Sequence, residues 1–185
     1  MSSPYLLDRD SALLCVVDTQ TKLAAAMAER EAVIRAARQL ILSARRLSVP
    51  ILITQQYTPG LGPTEPDLVE ALGEDYRPIE KPSFSCCRQT AFAERVAQLG
   101  RTQIILCGME THVCLLQTAM DLLHDGYQVH MIADAACSRN AEHKRLALDQ
   151  MRHAGAMVTC VEAAVYQMLR VSGTPEFKEL LKLFR

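Results

Sequence analysis

Three residues of this sequence combine types and positions that could do chemistry: Asp18, Lys81 and Cys114. Cys114 falls near the first turn of a helix expected after the apolar run Gln103–Cys107. A helix N-terminus stabilises an anion, so a thiol there is expected to lose its proton more easily. Asp18 directly follows the unbroken apolar run Ala12–Val17 and could take that proton as a general base. Lys81 ends a short strand candidate and could hold thiolate and carboxylate together while stabilising negative charge. Each residue has a plainer reading. Cys114 could be a small buried side chain, Asp18 a capping or loop carboxylate, and Lys81 a solvated lysine before Pro82. Chemistry requires all three to meet at one rim of a sheet.

The stretch Gly108-Met-Glu-Thr-His-Val-Cys114 adds a second feature. Successive backbone N–H groups leading into a helix can bind an oxyanion. With one glycine and so few residues it is no phosphate loop, so neither a nucleotide nor any other cofactor is expected. His112 and Cys114 stand two apart and point to opposite sides of a helix, which disfavours a Cys–His dyad. The five histidines, at 112, 124, 130, 143 and 153, are scattered without ligand spacing, so no metal is expected. The seven cysteines contain no C-x-x-C, and the adjacent Cys86 and Cys87 are poor disulfide partners. They read as a thiol-lined loop wall.

The elements that must position these residues alternate. Ala12–Val17 is continuously apolar, as suits a strand buried on both faces of a parallel sheet. A helix follows from about Arg30 to Leu47, with Val33, Ala36, Ala37, Leu40 and Ala44 on one face. Ile51–Ile53 is a second strand, and the Gly- and Pro-rich stretch Thr54–Pro66 a loop. Asp67–Leu72 is a short helix and Arg77–Lys81 a short strand. Thr90 is expected to cap a helix that Gly100 ends. Gln103–Cys107 is a strand broken by Gly108; Val113, Leu116, Met120 and Leu123 mark the next helix face. Tyr127–Ala133 is a strand, with Asp134 at its end. Asn140 is expected to cap a helix carrying Ala147, Leu148, Met151 and Ala154, and Ala156–Cys160 is the last strand. Helical segments at Ala163–Leu169 and Pro175–Phe184 close the chain. Such alternation implies right-handed crossovers, a mostly parallel sheet and helices on both faces, a three-layer Rossmann-like α/β fold. Ligands then bind at the carboxyl ends of the strands.

The 185 residues favour one domain, 1–185. An apolar fraction of 49% with 22% charged residues argues against disorder, and no apolar run is long enough to span a membrane. Twenty Lys and Arg against 21 Asp and Glu give a formal charge of −1, with no basic excess for nucleic acid. Residues 1–10 lack the pattern of a secretory signal, and the cysteines suit reduced thiols, so a cytoplasmic protein is expected. Leu61, Val165, Met168 and Leu169 are expected to need cover from a second copy, giving a homo-oligomer.

Leu13-Leu-Cys-Val-Val-Asp-Thr-Gln20, Lys81-Pro-Ser-Phe84 and Gly108–Cys114 followed by Leu115-Leu-Gln-Thr-Ala119 occur in this order. Asp125-Gly-Tyr-Gln-Val129, Ala133-Asp-Ala135 and Ser138-Arg139 continue the pattern. Together they resemble the isochorismatase-like cysteine hydrolases, over Leu13 to about Val165. The resemblance implies a six-stranded sheet of order 3-2-1-4-5-6 and a triad of Asp18, Lys81 and Cys114. It implies a cis peptide between Met109 and Glu110, and an oxyanion hole made by the backbone N–H groups of Glu110 and Cys114. It places Gln20, Gln56 and Phe84 at a small-molecule substrate. The implied reaction is hydrolysis of a small amide through a covalent thioester. Two departures narrow the likeness. Nicotinamidases of the family carry an Asp-x-His metal site after the second strand, whereas Thr54–Thr64 has no histidine. True isochorismatases work without a cysteine nucleophile. A non-catalytic or redox-sensing oligomer retaining the fold is the rival reading.

Overall fold

Continuous apolar runs become central strands, and the amphipathic segments between them become the helices that cover both faces. In this computed structural model, which describes residues 5–185, β1 is Ala12–Val17, β2 Ile51–Gln56, β3 Ile79–Lys81, β4 Gln103–Met109, β5 Gln128–Cys137 and β6 Met157–Thr159. Residues 1–4, part of the stretch read above for a secretory signal, lie outside the described residues. All six strands pair in parallel in the order β3-β2-β1-β4-β5-β6. The helices are α1 (Thr21–Ala24), α2 (Arg30–Arg46), α3 (Thr58–Leu61), α4 (Pro66–Leu72), α5 (Thr90–Leu99), α6 (Leu116–His124), α7 (Ala141–His153), α8 (Val161–Leu169) and α9 (Pro175–Leu180).

Every β1 residue is buried, because successive side chains enter opposite cores. Ala12, Leu14 and Val16 face a core shared with α2, α4 and α8; Leu13, Cys15 and Val17 face one shared with α5, α6 and α7. The sheet is thus sealed on both faces, and its carboxyl edge is left to carry polar groups.

The structure revises several boundaries. β2 runs on through Thr54, Gln55 and Gln56, which had read as loop, because their backbones ladder with Ile79, Glu80 and Lys81 of β3. Gly108 lies inside β4 rather than breaking it. Its φ is +125°, and a Cβ there would stand 2.0 Å from the Val17 carbonyl oxygen, so only glycine lets β4 approach β1 this closely. β5 continues past Asp134, which is exposed and accepts a bond from the Val161 N–H at the start of α8. Thr90 begins α5 without capping it, whereas Asn140 does cap α7, accepting from the N–H groups of Glu142 and His143. The helix face expected from Val113, Leu116, Met120 and Leu123 only flanks the buried one, which is Leu115, Ala119 and Leu122. Val165 and Met168 are buried within the protomer's own core and need no second copy to cover them.

Candidate active site

Asp18 is the first residue beyond β1 and adopts a left-handed φ of 48°, which a short polar side chain tolerates better than most. Its N–H donates to the Thr54 carbonyl, 3.2 Å away on the adjacent β2. Its Oδ1 accepts from Thr54 Oγ1 at 2.7 Å, and its Oδ2 lies 2.6 Å from Lys81 Nζ. Both side chains of that ion pair are fully buried. Lys81 reaches the pair from the edge strand β3, and its ammonium also donates to the Ser83 and Phe84 carbonyls at 3.1 and 3.0 Å. Burial alone would lower the Lys81 pKa. The Asp18 charge, the thiols of Cys86 and Cys114 and the hydrogen bond to Asp18 together outweigh it and raise the value. The lysine stays an ammonium.

Cys114 sits in a widened π-type turn, Thr111–Leu115, that feeds α6. Its thiol donates to Gln56 Oε1 at 3.2 Å. Burial raises its pKa most, the Asp18 charge raises it further, and Lys81 lowers it in part. This reverses the expectation that a helix N-terminus would ionise the thiol. α6 begins two residues later, and a terminal half-charge is outweighed by burial beside a carboxylate. A neutral thiol can act as a nucleophile only where a base takes its proton, and the Asp18 carboxylate is close enough to act on this one.

The remaining expected residues separate by role. Gln56 touches the Cys114 thiol itself. Gln20 is fully buried and spends its carboxamide on backbone: Oε1 accepts from the Gln56 N–H at 2.8 Å, and Nε2 donates to the carbonyls of Gln56 and Gly62 at 3.1 and 2.6 Å. It props Gln56 rather than facing a ligand. Phe84 is half-exposed, with its carbonyl bound to Lys81. The Met109–Glu110 peptide is cis, and the Glu110 carboxylate accepts from Arg139. His112 bonds Ser138 through Nδ1 rather than the thiol. Cys86 is buried beside the site, 3.8 Å from Thr54 Oγ1, and burial followed by the Asp18 charge pushes its thiol up to about 11.

Thr54 was missed by the sequence reading because a β-branched polar residue before a loop carries no signal of its own. An open hollow of about 450 Å³ lined by Tyr57, Thr58, Pro59, Glu80, Lys81 and Pro82 borders the site. A larger one, about 790 Å³ between α2 and α4, is lined by Arg30, Glu65 and neighbouring charges and touches none of Asp18, Lys81 and Cys114. Among the described residues no helix is long and apolar enough to cross a membrane.

A family model described as the isochorismatase domain matches residues 11–163. Isochorismatase domain-containing protein 2A of Mus musculus is 38% identical over 179 residues, covering 95% of this chain and 84% of that protein. The solved structure of the MAR1 ribonuclease from Caenorhabditis elegans is 38% identical, with a TM-score of 0.91 over 96% of this chain and 91% of its own. The YcaC product of Escherichia coli, an octameric hydrolase of unknown specificity, shares the fold. Its TM-score is 0.91 and its identity 23%, over 99% of this chain and 92% of its own.

Proposed function

The chain belongs to the isochorismatase domain family, and from that premise we propose that it is a cysteine-dependent hydrolase of small amides. The observation that carries the reading is a buried Asp18–Lys81 ion pair beside a neutral, buried Cys114 thiol at the carboxyl edge of the sheet.

Asp18 removes the thiol proton as sulfur attacks the substrate carbonyl carbon. A carbon–sulfur bond forms and the carbonyl π electrons move to oxygen, where the Glu110 and Cys114 N–H groups hold the oxyanion. Collapse breaks the carbon–nitrogen bond, and the amine leaves with the proton held by Asp18. Water then attacks the thioester, giving its proton to Asp18, and the thiolate leaves with that proton as the acid is released. The sum is amide plus water to carboxylic acid plus amine. Lys81 stays an ammonium beside Asp18 and never donates its own proton.

No metal or other cofactor takes part in this scheme. The substrate is a small molecule, bounded by Gln56 and by Phe84 at the rim. Seven free cysteines support a reducing compartment such as the cytoplasm. Tyr57 and Phe84, 66% and 52% exposed, border the site and support assembly into a homo-oligomer. A light-scattering mass equal to the 20.5 kDa monomer would exclude assembly.

A panel of small amides, with an RNA oligomer included because one relative bears the name ribonuclease, tests the reading by product release. Trapping and turnover are expected with an amide and to vanish in Cys114→Ala. Turnover that survives Cys114→Ala refutes the mechanism.

A further inference from the structure

We propose that Arg139, with Ser138, is a positioning residue that aims the oxyanion-holding N–H of Glu110. The inference rests on the hydrolase reading above and assigns the part of the site that lies outside the triad.

Glu110 is the hinge between the end of β4 and the turn that carries Cys114. Its carbonyl oxygen is already fixed, accepting from the Val113 and Leu115 N–H groups at 3.1 and 3.2 Å. Its side chain is 8% exposed, and a carboxylate so buried requires a partner. Arg139 supplies two donors to the same oxygen: its own backbone N–H and its Nε, each 3.0 Å from Oε1. The Nε contact is also an ion pair, although the arginine side chain is 63% exposed.

The preceding residue grips the other end of the same segment. Ser138 Oγ lies 2.9 Å from His112 Nδ1 and accepts from the His112 N–H at 3.4 Å. Met109 and Cys137 are register partners in the β4–β5 ladder, so the two segments run side by side from there. Glu110 and His112 are thus both bonded to Ser138–Arg139, with the sheet as a common base. With the carbonyl that follows its Cα and its carboxylate both tied, Glu110 is held at two points, and the N–H that precedes the Cα is aimed by the residue they fix. Arg139 contacts neither Cys114 nor Asp18 through any hydrogen bond or ion pair of the described residues. It acts through Glu110.

Two reactions of the same thiol separate this role from a general structural one. Acylation by p-nitrophenyl acetate passes through a tetrahedral oxyanion; alkylation by iodoacetamide is a displacement at carbon and builds none. Loss of one oxyanion donor costs on the order of 10²–10³ in rate, and misaiming it costs a share of that. Arg139→Ala is expected to slow acylation of the full-length protein by roughly tenfold or more. Alkylation of Cys114 should change less than about twofold. Both variants keep the backbone donor; Arg139→Lys also keeps the charge and should recover part of the acylation rate. Glu110→Ala combined with Arg139→Ala should be no slower than Glu110→Ala alone, because the two side chains act as one unit.

Acylation and alkylation falling together in Arg139→Ala and Arg139→Lys alike, or an unchanged acylation rate in Arg139→Ala, overturns the assignment. Acylation absent from the parent, or surviving Cys114→Ala, overturns the hydrolase reading and the clamp with it. Acylation that depends on Cys114 but ignores Arg139 overturns the clamp alone.

Discussion

Removing either member of the Asp18–Lys81 pair should be far more damaging than removing both. Lys81→Met leaves a carboxylate with no exposed surface and no cation. Asp18→Asn leaves a buried ammonium whose remaining acceptors are two carbonyls, those of Ser83 and Phe84. Stripping one partner from a buried pair costs about 3–5 kcal/mol, because the surviving charge has lost its compensation. Against a typical total of about 5–15 kcal/mol, either single variant forfeits a large share of stability. The double variant Asp18→Asn/Lys81→Met carries no orphaned charge. The carboxamide that replaces the carboxylate would still present an oxygen to Thr54 Oγ1, which now sits 2.7 Å from Asp18 Oδ1. What stays lost is the donor to two carbonyls, about 1–3 kcal/mol. Two additive single effects would sum to about 6–10 kcal/mol, so the expected coupling is several kcal/mol. Urea unfolding of the four proteins at pH 7 measures it. A double variant as unstable as the sum of the singles, or single variants within about 1 kcal/mol of the parent, would show that the charges do not compensate each other.

Two further outcomes follow from the same geometry. The Cys114 thiol is raised by burial and by Asp18 and lowered by Lys81. Its iodoacetamide alkylation should therefore rise only at alkaline pH in the parent, shift to lower pH in Asp18→Asn, and shift to still higher pH in Lys81→Met. A profile unmoved by either substitution would place both charges out of the thiol's reach. Gly108→Ala should destabilise the protein by about 3 kcal/mol or more, since its Cβ collides with Val17 backbone in a φ region hostile to side chains. A melting temperature within a degree of the parent would refute that close approach.

The parallel sheet and its two covered faces were legible because continuous apolar runs leave a central strand few alternatives; the strand order came with the family resemblance. β1 and the limits of α4 to within one residue needed no tertiary information. Errors fell where polar residues complete an apolar strand. Thr54, Gln55 and Gln56 read as loop, yet the edge strand β3 pairs with all three. Gly108 read as a strand end because glycine's usual role is to stop a ladder; its actual reason lies across the sheet, in the Val17 carbonyl. Both are long-range causes that no local window contains. The C-terminal apolar residues failed differently: Val165 and Met168 fill the protomer's core, and spacing on one helix cannot say which surface covers it.

The site residues were legible in identity but not in electrostatic state. A cysteine before a helix suggests a thiolate, whereas position in a buried rim beside Asp18 gives a neutral thiol. That sign depends on solvent exclusion and on which carboxylate oxygen faces which neighbour, quantities fixed only when β1, β3 and the turn after β4 come together. The reversal also constrains mechanism. A preformed thiolate would need Asp18 only as a later acid, but a neutral thiol requires the proton to leave during attack. In the proposed reaction the carboxylate that raises the thiol's pKa is then the base that receives its proton, with the Lys81 ammonium 2.6 Å from its Oδ2. Asp18 keeps the resting thiol protonated, and in the proposed reaction attack begins only once a carbonyl is held against the Glu110 N–H, which is why alkylation and acylation of Cys114 should respond differently to Arg139→Ala.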